Sequence, residues 1–166
     1  MGHIYLIGFM GTGKSTVSRA LSQLMKMNEI EMDQELADLF GMPIPAVFEK
    51  LGEDAFRERE SAYIRSLAQT VSSVISCGGG AVLREENVAC MKQRGTIVLL
   101  TARPETVYER VAGNTERPLL QGHMSVEGIA ELMEKRQQIY EAACDFSVAT
   151  DGRTPEEIAL EIAKKI

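Results

Sequence analysis

The sequence predicts an α/β fold, a parallel sheet with helices on both faces. Three observations predict it. Strand-like and helix-like segments alternate along the 166 residues, the strand-like ones are short apolar runs, and a glycine-rich loop joins the first strand to the first helix. Repeated β–α crossovers make neighbouring strands parallel and lay helices over the sheet. In such a sheet ligands sit beyond the carboxyl ends of the strands.

The first strand is Ile4-Tyr5-Leu6-Ile7, an apolar run suited to burial on both faces. Gly8-Phe9-Met10-Gly11-Thr12-Gly13-Lys14-Ser15 follows and fits G-x-x-x-x-G-K-[ST], the phosphate-binding loop. Its glycines let the backbone turn N–H groups toward phosphate oxygens, Lys14 reaches the β- and γ-phosphates, and the Ser15 hydroxyl can hold Mg²⁺. Val17, Ala20, Leu21 and Leu24 recur at helical spacing, so a helix N-terminus is aimed at the anion. Strand, loop and helix together imply binding of a nucleoside triphosphate.

A second strand is placed at Glu29-Ile30-Glu31-Met32, and a short helix over 33–40 stops at Gly41. Pro43 and Pro45 open another that runs through Val47 and Phe48 to Leu51-Gly52. A longer helix over 53–69 has Phe56, Ala62, Tyr63, Leu67 and Ala68 as its expected buried face. The third strand, 71–76, runs into Gly78-Gly79-Gly80, and Thr96-Ile97-Val98-Leu99-Leu100 is a central strand by its apolar composition. A helix over 104–112 leads to a polar, helix-breaking loop, Gly113 to Pro118. A helix over 126–142, a strand over 146–149 and a turn, Asp151 to Pro155, that opens a final helix complete the pattern.

With 166 residues the chain is one domain by length, enough to bury about 70% of its unfolded surface. A net charge of −6 offers no general attraction for nucleic acid or membranes, so any anion site is a local cluster of Arg and Lys. Cys77, Cys90 and Cys144 are odd in number and lack C-x-x-C spacing, which reads as free thiols. No apolar run is long enough for a membrane span, and a cytoplasmic location is expected. No heptad or long apolar patch stands out, so a monomer is expected.

Several charged residues fall near the ligand edge. Glu31 and Asp33 are alternate residues at the end of the second strand and share a face. Asp33 serves either as a cap for the next helix or as the carboxylate that a phosphoryl-transfer enzyme needs as base or, through water, for Mg²⁺. Arg57 and Glu60, three apart, pair on the surface of the long helix; such a run reads as a solvated face, although a guanidinium held by a carboxylate is also prepared to grip a substrate carboxylate. The triple glycine reads as close approach of a ligand to bare backbone. Arg117, between Gly113 and Gly122, is either a plain surface arginine or a mobile cation for a transferring phosphoryl group. Arg136 beside Lys135 has the look of a solvated pair, and His123 that of an exposed loop residue.

Taken in order, the phosphate loop, the Asp33 segment, Phe56-Arg57-x-x-Glu60, Gly78-Gly79-Gly80-Ala81-Val82, Asn114-Thr115-Glu116-Arg117-Pro118-Leu119-Leu120, and Lys135-Arg136 with Tyr140 resemble the motifs of the shikimate kinase family. This family is part of the nucleoside-monophosphate-kinase-like group of phosphate-loop proteins, and the resemblance covers nearly the whole chain. It implies a five-stranded parallel sheet in order 2-3-1-4-5 and a single P-loop kinase domain over 1–166, with a helical substrate-binding segment over about 33–62 and a lid over about 113–124. The implied reaction moves the γ-phosphoryl of ATP, with Mg²⁺, to the 3-hydroxyl of shikimate in chorismate and aromatic amino-acid biosynthesis.

Carried over by position, Gly11, Thr12, Gly13, Lys14, Ser15 and Thr16 bind ATP, Ser15 holds the metal, and Arg110 and Arg153 flank the adenine. Asp33 contacts substrate hydroxyls and is the base. Arg57 and Arg136 bind the substrate carboxylate, and the Gly79 and Gly80 backbone meets the ring hydroxyls. Lys14, Asp33 and Arg117 form the catalytic group, with Arg117 closing onto ATP. One position departs from the family's Asp-x-Asp: the first acid is Glu31, whose extra methylene moves the carboxylate by about a bond length, where about 1 Å of misplacement can cost 10²-fold. A kinase for another small hydroxy acid such as gluconate, and a non-catalytic ATP-binding module, are the alternatives; the paired arginines and triple glycine favour shikimate.

Overall fold

Strand β1 (His3–Ile7) is buried at every residue, because it sits mid-sheet and is covered on both faces. The computed structural model describes residues 1–112 and 125–166. Within them β1 is followed by α1 (Lys14–Met25), β2 (Asn28–Glu31), α2 (Met32–Phe40), α3 (Ile44–Leu51) and α4 (Glu53–Ser66), which ends in a 3₁₀ turn (Leu67–Gln69). Then come β3 (Ser73–Ser76), α5 (Glu85–Arg94), β4 (Gly95–Thr101), α6 (Pro104–Val111), α7 (Val126–Ala143), β5 (Phe146–Ala149) and α8 (Pro155–Lys165). The five strands are parallel in the order β2-β3-β1-β4-β5, as the resemblance implied.

Alternation along the strands divides the interior into two cores. Tyr5, Ile7, Ile75, Ile97 and Leu99 point to one side, where α2 to α7 supply Leu36, Val47, Phe56, Ile64, Met91, Val107 and Ile129. Ile4, Leu6, Val74, Val98 and Val148 point to the other, where α1 and α8 supply Val17, Leu21, Ile158 and Ile162. Each side chain buried in this way contributes roughly 1.5–3 kcal/mol, which is why near-continuous apolar strands suffice to hold the sheet.

Element ends follow local chemistry. Gly13 stands at the N-cap of α1 with φ 96°, has no side chain to cap the helix, and the first turn carries no acid, so its N–H groups are left for an anion. By contrast α8 has a full capping box between Thr154 and Glu157.

Three differences from the sequence reading have clear causes. Helix α5 was not among the expected elements; only Asn87 and Met91 of it are fully buried, too thin a stripe to register as periodicity. The buried face of α4 is Phe56, Arg57, Glu60, Ser61 and Ile64, while Ala62 is exposed, because α4 turns a polar stripe inward. Strand β3 starts at Ser73, two residues late, since Val71 is 67% exposed before the sheet begins. The expected lid and its residues, Arg117 and His123 among them, lie outside the described residues.

Candidate active site

The phosphate loop braces itself. The Thr12 hydroxyl donates to the Phe9 carbonyl at 2.7 Å, and the Lys14 ammonium donates to the carbonyls of Gly8 and Phe9 at 2.8 and 3.0 Å. Thr12 is buried, and its hydroxyl braces the loop from inside. The Thr16 hydroxyl donates to the Gly13 carbonyl at 3.1 Å, and the Ser15 hydroxyl donates to Glu31 Oε2, also at 3.1 Å. Burial raises the Glu31 pKa, the Ser15 hydroxyl pulls it back, and Glu29 and Asp33 push it up again. Its second oxygen, Oε1, is buried with no hydrogen bond among the described residues.

Around this loop lie two cavities. The first, of about 490 Å³, is lined by Gly11 to Thr16, Arg110, Val111, Thr150, Arg153, Pro155 and Ile158. Arg110 Nη1 donates to the Gly11 carbonyl at 3.0 Å and to the Thr150 hydroxyl at 3.3 Å; Arg153 is held by the Ala149 carbonyl at 3.0 Å and Glu161 at 2.7 Å. The second cavity, of about 660 Å³, has an apolar wall of Ile44, Pro45, Phe48 and Phe56 and a polar floor of Arg57, Glu60, Arg136 and Gly78 to Gly80. The wall is fixed by aromatic packing, with Phe56 stacked on Phe40 at 6.3 Å and tilted against Phe48 at 4.9 Å. Met10, Ser15, Glu31, Asp33, Gly78 and Gly79 face both cavities.

The expected surface pairing of Arg57 with Glu60 is corrected. Arg57 is 7% exposed and Glu60 0%, with Nη1 donating to Glu60 Oε1 at 2.9 Å while Nη2 and Nε reach Glu53 Oε1 at 3.3 and 3.4 Å. The cause lies outside α4: the glycine turn packs over the guanidinium, and a charge is kept in such a place only when paired. A Cβ on Gly80 would overlap the guanidinium of Arg57, and one on Gly78 would stand 2.7 Å from Asp33 Oδ1 and 3.4 Å from Glu60 Oε2. The triple glycine therefore admits protein side chains at its first and third positions. Gly79, partly exposed, has Arg136 Nη1 and the Tyr140 hydroxyl near it, and Tyr140 donates to its carbonyl at 2.5 Å.

Arg136, solvated by its spacing beside Lys135 but placed at the substrate by the resemblance, is half-buried and lines the second cavity. Its Nη1 and the Oε2 of Glu60 are buried polar atoms without hydrogen bonds among the described residues. Each such orphan costs about 1–3 kcal/mol until something pairs with it. One donor and one acceptor waiting in the same cavity suit a ligand that has both a carboxylate and hydroxyls. Burial raises the Tyr140 pKa against the pull of Arg136, so the phenol stays a donor. Cys77, at the exit of β3, is a buried thiol whose pKa is raised by burial, and all three cysteines are free.

Asp33, Arg57, Gly79, Gly80 and Arg136 thus converge at one cavity, and Gly11 to Thr16, Arg110 and Arg153 at the other. Glu53, Thr150 and the apolar wall were not singled out from sequence. Glu53 had a signal, four residues before Arg57 on the same helix; Thr150 had none, since its contact to Arg110 spans forty residues.

The chain is similar over nearly its whole length to known proteins. The family model described as shikimate kinase matches residues 10–166. The shikimate kinase of Thermodesulfovibrio yellowstonii is 41% identical over 165 residues, covering 99% of this chain and 95% of that protein. Among solved structures, shikimate kinase from Acinetobacter baumannii in complex with shikimate superposes with a TM-score of 0.94 at 32% identity, over 99% of this chain and 92% of that one. Shikimate kinase from Aquifex aeolicus gives 0.82 at 40% identity, over 98% and 94% of the two chains.

The buried pair makes a pH prediction. Burial raises the Glu60 pKa above its ordinary 4.5, with Arg57 opposing. A carboxyl raised by folding contributes stability that is full below its unfolded pKa and lost as pH rises through the folded value. Glu60→Gln removes this titration. Melting temperatures between about pH 4 and pH 8 should show the variant gaining on the parent as pH rises, with the difference flat at the acid end. A pH-independent difference contradicts the raised pKa.

Proposed function

Because the chain belongs to the shikimate kinase family, we propose that its two joined cavities are the ATP and shikimate sites of that family's reaction. The enzyme phosphorylates shikimate with ATP on the route to aromatic amino acids. The observation that carries the site assignment is the shared wall: a γ-phosphoryl group over the phosphate loop and an acceptor held by Arg57 and Arg136 meet at Asp33 and Gly79.

The backbone of Gly11 to Thr16 and the N-terminus of α1 bind the phosphates, and the Lys14 ammonium trades the Gly8 and Phe9 carbonyls for β- and γ-phosphate oxygens. Arg110 and Arg153 flank the adenine. Arg57 and Arg136 grip the shikimate carboxylate, with Glu60 Oε2 and the Gly79 and Gly80 backbone taking ring hydroxyls. The apolar wall of Ile44, Pro45, Phe48 and Phe56 suits a carbocycle better than the open polyol chain of gluconate. Asp33 accepts the proton of the 3-hydroxyl as its oxygen bonds to the γ-phosphorus and the bond to the departing ADP oxygen breaks. Arg117, outside the described residues, takes from the family resemblance the role of adding positive charge to the transferring group.

The residues fit Mg²⁺. Ser15 and Glu31 present only hard oxygen donors, and Glu31 Oε1, without a hydrogen bond among the described residues and in a place that penalises its charge, is where a cation would stabilise the carboxylate. Ser15 would hold the ion and Glu31 would order its water shell, so the longer acid still serves. When bound, the ion neutralises charge on the β- and γ-phosphates. No described helix is long and apolar enough to cross a membrane, and a cytoplasmic monomer is the proposed form.

ADP release measured with shikimate and with gluconate tests the acceptor: turnover should depend on shikimate alone, and equal stimulation by gluconate would sink the assignment. In the same assay Asp33→Asn should lower kcat by about 10²–10⁴-fold with ATP affinity little changed. An unchanged kcat would remove Asp33 as the base.

A further inference from the structure

The nucleobase end of the first cavity is assembled from two separate segments. Helix α6 supplies Arg110 and Val111, and the turn between β5 and α8 supplies Thr150, Arg153 and Pro155. Nothing covalent sets the distance between them, so a noncovalent tie must.

The structure contains such a tie. The N-cap position of α6 is Arg103, which has no side-chain acceptor, and the helix makes no cap of its own. Its first orphan donor is met from the turn instead. The Arg103 N–H donates to Asp151 Oδ1 at 2.9 Å, and the Thr106 hydroxyl donates to the same oxygen at 2.7 Å. The Arg103 Nε stands 3.7 Å from it. Burial works to raise the Asp151 pKa, but these hydrogen bonds outweigh it and hold the group below its ordinary value.

A carboxylate at a helix N-terminus is doubly favoured, as acceptor and as negative charge at the positive end. Asp151 is no part of the cavity lining, so it acts on ATP only through the segments it joins. The turn is anchored behind it, with the Thr150 N–H and hydroxyl both donating to the Thr101 carbonyl at 2.9 Å. In the last turn of α6, Arg110 closes the loop by reaching Thr150 and Gly11.

We propose that Asp151 is a positioning residue for ATP: by capping α6 from the β5–α8 turn, it sets the gap between Arg110 and Arg153 that receives the adenine. The inference rests on the reading of Arg110 and Arg153 as adenine-flanking.

Steady-state kinetics with ATP and shikimate varied separately, calorimetric ADP binding and melting temperatures test it on Asp151→Ala, Asp151→Asn and Arg110→Ala. Asp151→Ala should raise the KM for ATP and the Kd for ADP about 5–10-fold, the equivalent of losing one cap. Its kcat at saturating ATP and its KM for shikimate should stay within about two-fold of the parent. Asp151→Asn keeps the acceptor oxygen and should recover most of the ATP affinity. A lower melting temperature in Asp151→Ala with an unchanged KM for ATP would mean a purely structural cap and overturn the proposal. Equal losses in the Ala and Asn variants would overturn the hydrogen-bond account of it. Arg110→Ala separates the premise: if it too leaves the KM for ATP unchanged, the adenine reading fails, whereas a raised KM there with none in Asp151→Ala defeats the positioning role alone.

Discussion

The contact on which the site depends is between side chains and a backbone that has none. At the exit of β3, Gly78 and Gly80 leave room for Asp33 and for the guanidinium of Arg57, and a methyl group at either position would meet them. Asp33 comes from the start of α2 and Arg57 from the middle of α4, so two elements are registered against one turn. The magnitudes show which property is more exposed. Overpacking one methyl costs roughly 1–3 kcal/mol, tolerable against a net stability of about 5–15 kcal/mol. The same methyl displaces a group proposed to act in catalysis or binding on the ångström scale, where about 10²-fold in rate is at stake. The glycine turn is therefore a constraint on chemistry more than on folding.

Stability and function occupy different parts of the molecule. The two apolar cores flank the sheet and hold nearly all of the large buried side chains. Of the five buried side-chain polar atoms without a hydrogen bond among the described residues, Glu31 Oε1, Glu60 Oε2 and Arg136 Nη1 belong to residues that line the two cavities, while Ser18 Oγ and Glu29 Oε1 do not. Folding carries that cost because burial in the two cores offsets it, and under the proposed function substrate and Mg²⁺ would bind where pairing relieves it. The Arg57 guanidinium, gripped by Glu60 and Glu53, is oriented before any ligand arrives, which lowers the entropy lost on binding.

Much of this was legible in the residues. The phosphate loop, the strand runs and the glycines placed the sheet and its ligand edge, and β5 was bounded as observed at Phe146–Ala149. What stayed hidden depended on neighbours distant in sequence. The burial of Arg57 and Glu60 is decided by a turn that begins eighteen residues after Glu60, so their helix alone reads as a solvated face. Helix α5 buries a polar Asn87, whose side chain donates to the Ala81 carbonyl at 2.9 Å, and this hides its inward stripe. The tie between Asp151 and α6 spans 48 residues and leaves no periodic trace. The resemblance supplied the strand order, which the sheet has, and the roles proposed for Arg136 and Arg110, which spacing alone did not suggest.

The most direct test of the account is calorimetric binding of shikimate and of ATP·Mg²⁺ to Gly80→Ala. The steric argument predicts a shikimate Kd raised by about tenfold or more as Arg57 is displaced, with ATP affinity within about two-fold of the parent and the protein still folded. Shikimate binding equal to the parent's would contradict it, because Arg57 would then not need the space that Gly80 leaves.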